Sequence, residues 1–176
     1  NINNKNEKQL TQFNWVIKEI IGFDNSGENA IVLGTGSDAR ETKAYKINLQ
    51  NGTFETLTEE AGSHSVKLSS NGKYVIDSYT SIDIPRIVKR KSIDDGKEVT
   101  IYTSKNPIKG YQLGTTEFVT LTSKDGSDLF GRIIKPANFD ETKKYPVLVY
   151  VYGGPHAQMV TNSWLGGSNL WMQWLA

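Results

Sequence analysis

The part of the chain best suited to chemistry is the turn Gly153-Gly154-Pro155-His156. It directly follows Tyr145–Tyr152, eight residues rich in Val, Leu and Tyr. Two residues without a Cβ and a proline with a fixed φ let the backbone turn sharply and pass close to a ligand. Ligands of open α/β sheets bind beyond the carboxyl ends of the strands. Tyr152, Gly153 and Gly154 are therefore predicted to lie at a binding site.

In one known arrangement for serine chemistry, the nucleophile lies on a sharp Gly-x-Ser-x-Gly turn and the acid and the histidine come later in the chain. The sequence contains no such turn, and its nearest approach, residues 166–170, has Leu170 in the fifth position. Ser168 fits better as a helix N-cap than as a nucleophile. The two histidines are His64 and His156. A base follows its nucleophile in this order, so His156 is predicted to be a loop or hydrogen-bonding residue, and His64, inside a repeat, to be structural.

Composition and charge exclude several classes of function. The formal net charge is +1, which argues against binding a nucleic acid or a membrane surface through bulk charge. The chain has no cysteine, which excludes disulfides and thiolate metal sites. The histidines have no metal-ligand spacing, and no glycine-rich phosphate loop is present. We therefore predict a soluble chain without a cofactor, a metal or a nucleic-acid partner.

Targeting and membrane signals are also missing from the sequence. The polar residues 1–12 contain no apolar segment typical of a signal peptide. The longest apolar run is Tyr145–Tyr152, far short of the ~20 residues that a spanning helix needs. We predict no membrane span in this chain.

The elements that would position the turn lie in residues 112–176. Tyr145–Tyr152 is apolar at odd and even positions, which predicts a central strand buried on both faces of a parallel sheet. Residues 117–122 and 129–134 flank the turn 123–127 and are predicted to form a hairpin. Residues 168–176 are predicted to form a helix of about two turns that begins at Ser168 and pairs Leu170 with Trp174.

The first hundred residues show a repeat of short strands and turns. Gly27 aligns with Gly72 and Gly52 with Gly96, an offset of about 44 to 45 residues that is typical of a four-stranded propeller blade. Asn51-Gly52 predicts a type I′ hairpin turn with positive φ at both residues. Two blades are therefore predicted, with two unrelated antiparallel meanders as the alternative. The predicted strands are residues 15–23, 29–33, 44–49, 53–57, 65–68, 74–76, 87–88 and 99–101.

Particular residues of the sequence resemble those of a known family. They are Lys144-Tyr-Pro-Val-Leu-Val-Tyr-Val-Tyr-Gly-Gly-Pro-His156, Thr161-Asn-Ser-Trp164, Asp128-Leu-Phe-Gly-Arg-Ile-Ile-Lys-Pro136, Gly62-Ser-His-Ser65 and Ser70-Asn-Gly-Lys-Tyr74. On these residues the chain resembles the prolyl oligopeptidase family of serine peptidases, and within it the dipeptidyl peptidase IV branch. The resemblance covers nearly the whole chain.

The resemblance implies a mainly β chain with two domains. Residues 1–111 would be the last two four-stranded antiparallel blades of a β-propeller. Residues 112–176 would be the first strands and first helix of an α/β-hydrolase domain. Tyr152 matches the family tyrosine whose hydroxyl is an oxyanion-hole donor. Glu59-Glu60 is the only adjacent glutamate pair, but it lacks the helical setting of the family's amino-group-binding motif and is interpreted as solvated.

Several interpretations of function stay open from the sequence. The resemblance implies a fragment of a serine exopeptidase that releases N-terminal dipeptides of the Xaa-Pro or Xaa-Ala type through an acyl-enzyme and is inactive alone. The alternatives are an oligopeptidase, acylaminoacyl peptidase or esterase of the same architecture, or a non-catalytic propeller binding module. A peptide substrate is the implied partner, and a periplasmic or secreted location is suggested by the resemblance. Exposed strand edges also predict self-association.

Overall fold

The computed structural model describes residues 8–155 and 157–176. Over these residues the chain is mainly β, with two four-stranded antiparallel sheets and a two-stranded hairpin. Each four-stranded sheet is a meander whose strands pair in chain order. The first sheet consists of β1 (Ile17–Phe23), β2 (Asn29–Gly34), β3 (Lys43–Asn48) and β4 (Phe54–Thr56). The second consists of β5 (Ser63–Leu68), β6 (Tyr74–Ser81), β7 (Ile84–Ser92) and β8 (Glu98–Thr103).

The predicted repeat is confirmed at the level of individual hydrogen bonds. In the first turn of each sheet, Gly27 N–H donates to the carbonyl of Asp24 at 3.1 Å and Gly72 N–H donates to that of Ser69 at 2.9 Å. Both glycines have positive φ, +73° and +67°. The third turn also recurs, with Gly52 N–H bonded to Asn48 O at 2.9 Å and Gly96 N–H bonded to Ser92 O at 3.1 Å. The two sheets are therefore successive copies of one unit.

The prediction of a type I′ turn at Asn51-Gly52 is wrong. Gly52 has φ +74°, but Asn51 is not among the residues with positive φ. The loop is longer than two residues because the Asn48 carboxamide oxygen accepts hydrogen bonds from the N–H groups of Gln50 and Asn51, at 3.0 and 3.2 Å. This bonding stabilises a helix-like turn, which needs a left-handed residue only at its end.

The core lies between the two sheets. Ile31 of β2 and Val75 of β6 are fully buried there, and burial of one such side chain contributes about 1.5–3 kcal/mol. The opposite face of the first sheet is covered by the segment before β1. In that segment Phe13 stacks on Trp15 at 4.2 Å, and Trp15 stacks on Tyr45 at 4.6 Å. The inter-sheet core comprises Ile31, Leu33, Ala44, Leu57, Val66, Val75 and Ile93.

The predicted hairpin is confirmed, and the regions after it differ from prediction. β9 (Thr115–Thr122) and β10 (Asp128–Lys135) pair in continuous antiparallel register. A 3₁₀ turn follows at Trp164–Gly167, and α1 spans Leu170–Leu175. The N-cap of α1 is Asn169, so the assignment of Ser168 was wrong by one residue. Ser168 ends the 3₁₀ turn instead, with its hydroxyl donating to Leu165 O at 2.7 Å.

Residues 145–152 do not form the buried central strand that their pattern predicted. They belong to no sheet, and Val147, Val149 and Val151 are 83, 78 and 72 % exposed. A strand exists only through hydrogen bonds to a neighbour, and no strand in the described ranges pairs with this segment. The segment is extended and apolar, but it is unpaired among the residues that the structure describes.

Candidate functional site

Tyr152 ends the extended segment and is 61 % exposed. Gly153 follows with φ +65°, the left-handed conformation that glycine adopts without steric cost. A Cβ at Gly154 would lie 3.1 Å from Cε1 of the Tyr152 ring. The absence of side chains at both positions therefore lets the backbone fold back closely against Tyr152. His156 lies outside the described residues.

The extended segment contacts α1 through an aromatic pair. The Tyr150 ring meets the Trp171 ring edge to face, with centroids 6.1 Å apart. Such a pair contributes about 0.5–1.5 kcal/mol beyond the area it buries. Trp171 thus ties the segment that carries Tyr152 to the C-terminal helix.

Between Tyr152 and α1 lies the docking segment, which we define as residues 158–167. It contacts both four-stranded sheets at corresponding places, the connections between their second and third strands. In the first sheet, Asn162 N–H donates to Arg40 O at 2.8 Å, and Gln158 donates to Ala39 O. In the second, Leu165 N–H donates to Ile82 O at 3.2 Å. The docking segment therefore spans the boundary between the two repeats.

The docking segment ends in an unusual left-handed turn. Leu165, Gly166 and Gly167 have φ values of 56°, 67° and 76° in succession. Leu165 is the one non-glycine residue with positive φ in the described part of the chain, and this conformation costs roughly 1–2 kcal/mol for such a residue. A Cβ at Gly166 would also lie 2.7 Å from Cδ of Arg132, so a larger residue there would have to displace the Arg132 side chain.

Arg132, on β10, connects the hairpin to this turn through hydrogen bonds. Its guanidinium donates to Met159 O at 3.2 Å and also to Gly166 O. It further lies 3.4 Å from the sulfur of Met172 on α1. These acceptors are all uncharged, and burial lowers the pKa of Arg132 from its usual value. Arg132 is thus a half-buried cation that joins the hairpin, the docking segment and α1.

Arg40 joins the first sheet to the same hairpin. Its guanidinium lies over the rings of Phe118 and Phe130, 4.9 and 5.2 Å from their centroids. Asp38 holds it from the other side, with Nη2 to Oδ2 at 2.8 Å. The hydrogen bond that Arg40 donates to Asp38 raises the pKa of Arg40 and lowers the pKa of Asp38. The first repeat and the hairpin therefore meet at one charged and aromatic junction.

A cleft of about 400 Å³ lies where the docking segment crosses the second sheet. Ser163 and Trp164 form one wall, and residues of β5, β6 and β7 form the other, including Tyr79 and Arg86. Tyr152 is not among the residues that line it. The structure thus brings the docking segment to the cleft, but it does not bring the predicted oxyanion donor there.

His64 is confirmed as a structural residue. It is buried, with Nδ1 2.8 Å from the Asp77 carboxylate and Nε2 3.0 Å from Glu60 O. Its ring stacks on Tyr79 at 4.9 Å. Both ring nitrogens are occupied by protein acceptors, so neither is free to act on a substrate.

The interpretation of Glu59-Glu60 as a solvated pair is wrong for Glu60. Its carboxylate forms an ion pair with Lys89, which also binds Glu98 at 2.6 Å. Burial opposes ionisation of Glu60, but the hydrogen bond and the charge of Lys89, together with a backbone hydrogen bond, outweigh it in sum and lower the pKa of Glu60. Glu59 is exposed as predicted. Within the described ranges, no group of three or more acidic or histidine side chains is arranged to hold a metal.

Comparison with known proteins finds similarity over nearly the whole chain. The model of the dipeptidyl peptidase IV N-terminal region matches residues 1–86. A Bacteroides ovatus crystal structure assigned as a dipeptidyl aminopeptidase IV superposes with a TM-score of 0.87 and 39 % identity, over 96 % of this chain and 24 % of its own. The chain is similar to proteins of the dipeptidyl peptidase IV type.

Two further relatives agree with this similarity. Porphyromonas gingivalis dipeptidyl peptidase 4 superposes with a TM-score of 0.84 at 26 % identity, over 96 % of this chain and 24 % of its own. Dipeptidyl aminopeptidase A of Saccharomyces cerevisiae is 28 % identical over 87 % of the chain and 19 % of the relative. The chain spans about a fifth of the length of the curated relatives that it matches. In the described part of the chain, no helix is long and apolar enough to cross a membrane.

Sequence reasoning missed the residues that hold the junction together. Asn162, Arg132 and Arg40 were assigned no role, although Asn162 and Arg132 lie within stretches that carry the family resemblance. One signal was present in the sequence, because Gly166-Gly167 marks a turn in which a neighbouring basic side chain can approach the backbone. The partner of that turn, 34 residues away on β10, could not be identified from the sequence.

Proposed function

We propose that the chain forms the junction between the propeller and the catalytic domain of a serine-type dipeptidyl peptidase. Residues 1–111 supply the last two propeller blades, and residues 112–176 begin the α/β-hydrolase domain. The observation that carries this proposal is the superposition of 96 % of the chain on dipeptidyl peptidase structures. The names of the relatives support the release of N-terminal dipeptides as the reaction.

In this proposal Tyr152 stabilises the oxyanion. Attack of a serine on a peptide carbonyl places negative charge on the carbonyl oxygen, and a donor already aimed at that oxygen lowers the barrier. The phenol of Tyr152 is exposed at the end of the extended segment, beside two glycines that leave room for a substrate backbone. A backbone N–H beside the nucleophile would be the second donor.

The catalytic serine, acid and histidine would come from other parts of a longer protein. The 176 residues contain no Gly-x-Ser-x-Gly turn, and His64 is buried between Asp77 and Glu60 O. We therefore propose that the chain is inactive by itself. The preferred substrates in this proposal have Pro or Ala as the second residue.

The proposal is tested with a longer protein that contains this chain and with the chain alone. The longer protein is expected to hydrolyse Gly-Pro-p-nitroanilide and to react with a fluorophosphonate probe, and the chain alone is expected to do neither. In the longer protein, Tyr152→Phe is expected to lower kcat by about 10²- to 10³-fold, because one oxyanion donor is lost.

Tyr150→Phe is the matched control, since it removes the same hydroxyl two residues away and keeps the contact of the ring with Trp171. It is expected to leave kcat unchanged. Equal kinetics for the two variants would contradict the oxyanion role of Tyr152. Labelling of the isolated chain by the fluorophosphonate would contradict the assignment of the nucleophile to other sequence.

A further inference from the structure

Asn162 occupies a position that connects three parts of the molecule. It is half-buried in the docking segment, and its side chain lies between the two strand connections that the repeats present to it. Its carboxamide nitrogen donates to Glu41 Oε1 at 2.8 Å in the first repeat. Its carboxamide oxygen accepts from Ile82 N–H at 3.2 Å in the second.

The orientation of this carboxamide is fixed by its partners. Glu41 presents a carboxylate, which only accepts, and the backbone of Ile82 presents an N–H, which only donates. The nitrogen must therefore face the first repeat and the oxygen the second. Glu41 is 8 % exposed and has a second partner in Lys43 at 3.4 Å, so its carboxylate is held in place. Asparagine thus suits this site because its carboxamide offers one donor for Glu41 and one acceptor for the Ile82 N–H.

The docking segment also connects Asn162 to the rest of the C-terminal region through hydrogen bonds. Two residues after Asn162, Trp164 N–H donates to Thr80 Oγ1 at 2.9 Å. Arg132 then binds the carbonyls on both sides of it, those of Met159 and Gly166. A change at Asn162 would therefore be transmitted to the hairpin, to α1 and, through the Tyr150–Trp171 contact, to the segment that ends at Tyr152.

We propose that Asn162 is a positioning residue, whose carboxamide locks the docking segment to both repeats and so sets the position of the Tyr152 segment relative to them. It acts through the docking segment and does not touch substrate. The link to Tyr152 rests on the proposed function, whereas the locking of the docking segment does not.

The test uses an exchange of donor and acceptor across the Asn162–Glu41 contact. Asn162→Asp keeps the shape and the acceptor for Ile82 N–H, but it places a carboxylate against the Glu41 carboxylate. Glu41→Gln alone keeps an acceptor for the Asn162 nitrogen. In the double variant, the amide nitrogen introduced at position 41 can donate to the carboxylate introduced at position 162, which restores the contact with its direction reversed.

The first readout is hydrogen exchange in this chain. In Asn162→Asp, the backbone amides of residues 162, 164 and 165 are expected to exchange about 10- to 100-fold faster, because their bonds to the repeats open. Glu41→Gln alone is expected to change them little, and the double variant is expected to restore protection. Asn106→Asp, on an exposed loop, is the matched control and is expected to leave these amides unchanged.

The second readout is activity of the longer protein on Gly-Pro-p-nitroanilide. Asn162→Asp is expected to lower kcat at least tenfold with a smaller change in KM, and the double variant is expected to recover most of it. Unchanged hydrogen exchange in Asn162→Asp, or no recovery of protection in the double variant, would show that Asn162 does not hold the docking segment to the repeats. If protection is lost in Asn162→Asp and restored in the double variant while kcat stays unchanged in all variants, Asn162 does not set the position of the Tyr152 segment. An unsubstituted longer protein that cannot cleave the substrate would instead overturn the proposed function, and the exchange readout would still decide whether the lock exists.

Discussion

At the scale of single residues, buried and partly exposed polar groups of the second repeat form a network that holds strands together. His64 links Asp77 on β6 to the carbonyl of Glu60, and Lys89 on β7 links Glu60 to Glu98 on β8. The Lys89 amine also lies 5.5 Å from the centroid of the Tyr79 ring. The network spans the sheet, so loss of one member is expected to weaken the whole repeat.

The Lys89 ion pairs give a pH-dependent contribution to stability. Burial opposes the charge on Lys89, but its hydrogen bonds to Glu60 and Glu98 raise its pKa, and the pKa of Glu60 is lowered. For Glu60, the stabilisation is complete above the unfolded value of about 4.3 and is lost as pH falls through the lower folded value. For Lys89, it is complete below about 10.4 and is lost as pH rises through the higher folded value.

We therefore predict that Lys89→Met lowers the free energy of unfolding near neutral pH by about 1–3 kcal/mol, because two carboxylates lose their charged donor. The deficit relative to the unsubstituted chain should shrink as pH falls and the glutamates become protonated. Lys97→Met, which removes an exposed pair with Asp95, is the control and should leave the melting temperature unchanged. A Lys89→Met deficit that is the same at neutral and acidic pH would contradict this account. Thermal unfolding followed by circular dichroism across the pH range provides the measurement.

At the scale of elements, the glycine turns of the two repeats are alike in conformation but differ in what surrounds them. Gly72 and Gly96 have φ values of +67° and +68°. A Cβ at Gly72 would lie 2.5 Å from the backbone nitrogen of Asn25 in the first repeat, whereas a Cβ at Gly96 would meet nothing within 4 Å. The first turn of the second repeat is therefore packed against the first repeat, and its third turn is not.

Alanine substitutions at these two glycines therefore distinguish the cost of backbone strain from the cost of disturbing the contact between the repeats. Gly96→Ala should cost roughly 1–2 kcal/mol of unfolding free energy, the cost of a left-handed non-glycine residue. Gly72→Ala should cost about 1–3 kcal/mol more, because the backbones of two repeats must move apart. Chemical denaturation of both variants gives the comparison. Equal losses for the two would show that the repeats do not pack as described.

The sequence predicted the elements whose signals are local. The turns at Gly27, Gly72 and Gly96 fix where strands end, and the 44- to 45-residue offset fixes the repeat. The predictions for β6 and β7 were too short, because their polar residues, among them Asp77 and Lys89, have partners on other elements. The apolar pattern of residues 145–152 does not make a strand by itself, since strand formation depends on a neighbour that the sequence pattern does not specify.

At the scale of the whole molecule, the docking segment determines how the C-terminal region meets the repeats. Its contacts come from residues far apart in sequence, such as Asn162 with Glu41 and Arg132 with Gly166. Pairings of this kind have no periodicity, which is why the junction could not be predicted from the sequence, and the role of Tyr152 stays a prediction. The exposed side chains of residues 147–152 and of Trp174 on α1 form apolar surface, and self-association of the chain stays a prediction.

The central claim is that Tyr152 donates to the oxyanion of a peptidase. The most direct measurement is a crystal structure of the longer protein with a dipeptide boronic acid bound as a tetrahedral adduct. We predict that the Tyr152 hydroxyl lies about 2.7–3.1 Å from the adduct oxygen that occupies the oxyanion position. A structure in which another side chain donates to that oxygen, with the Tyr152 ring packed away from the adduct, would contradict it.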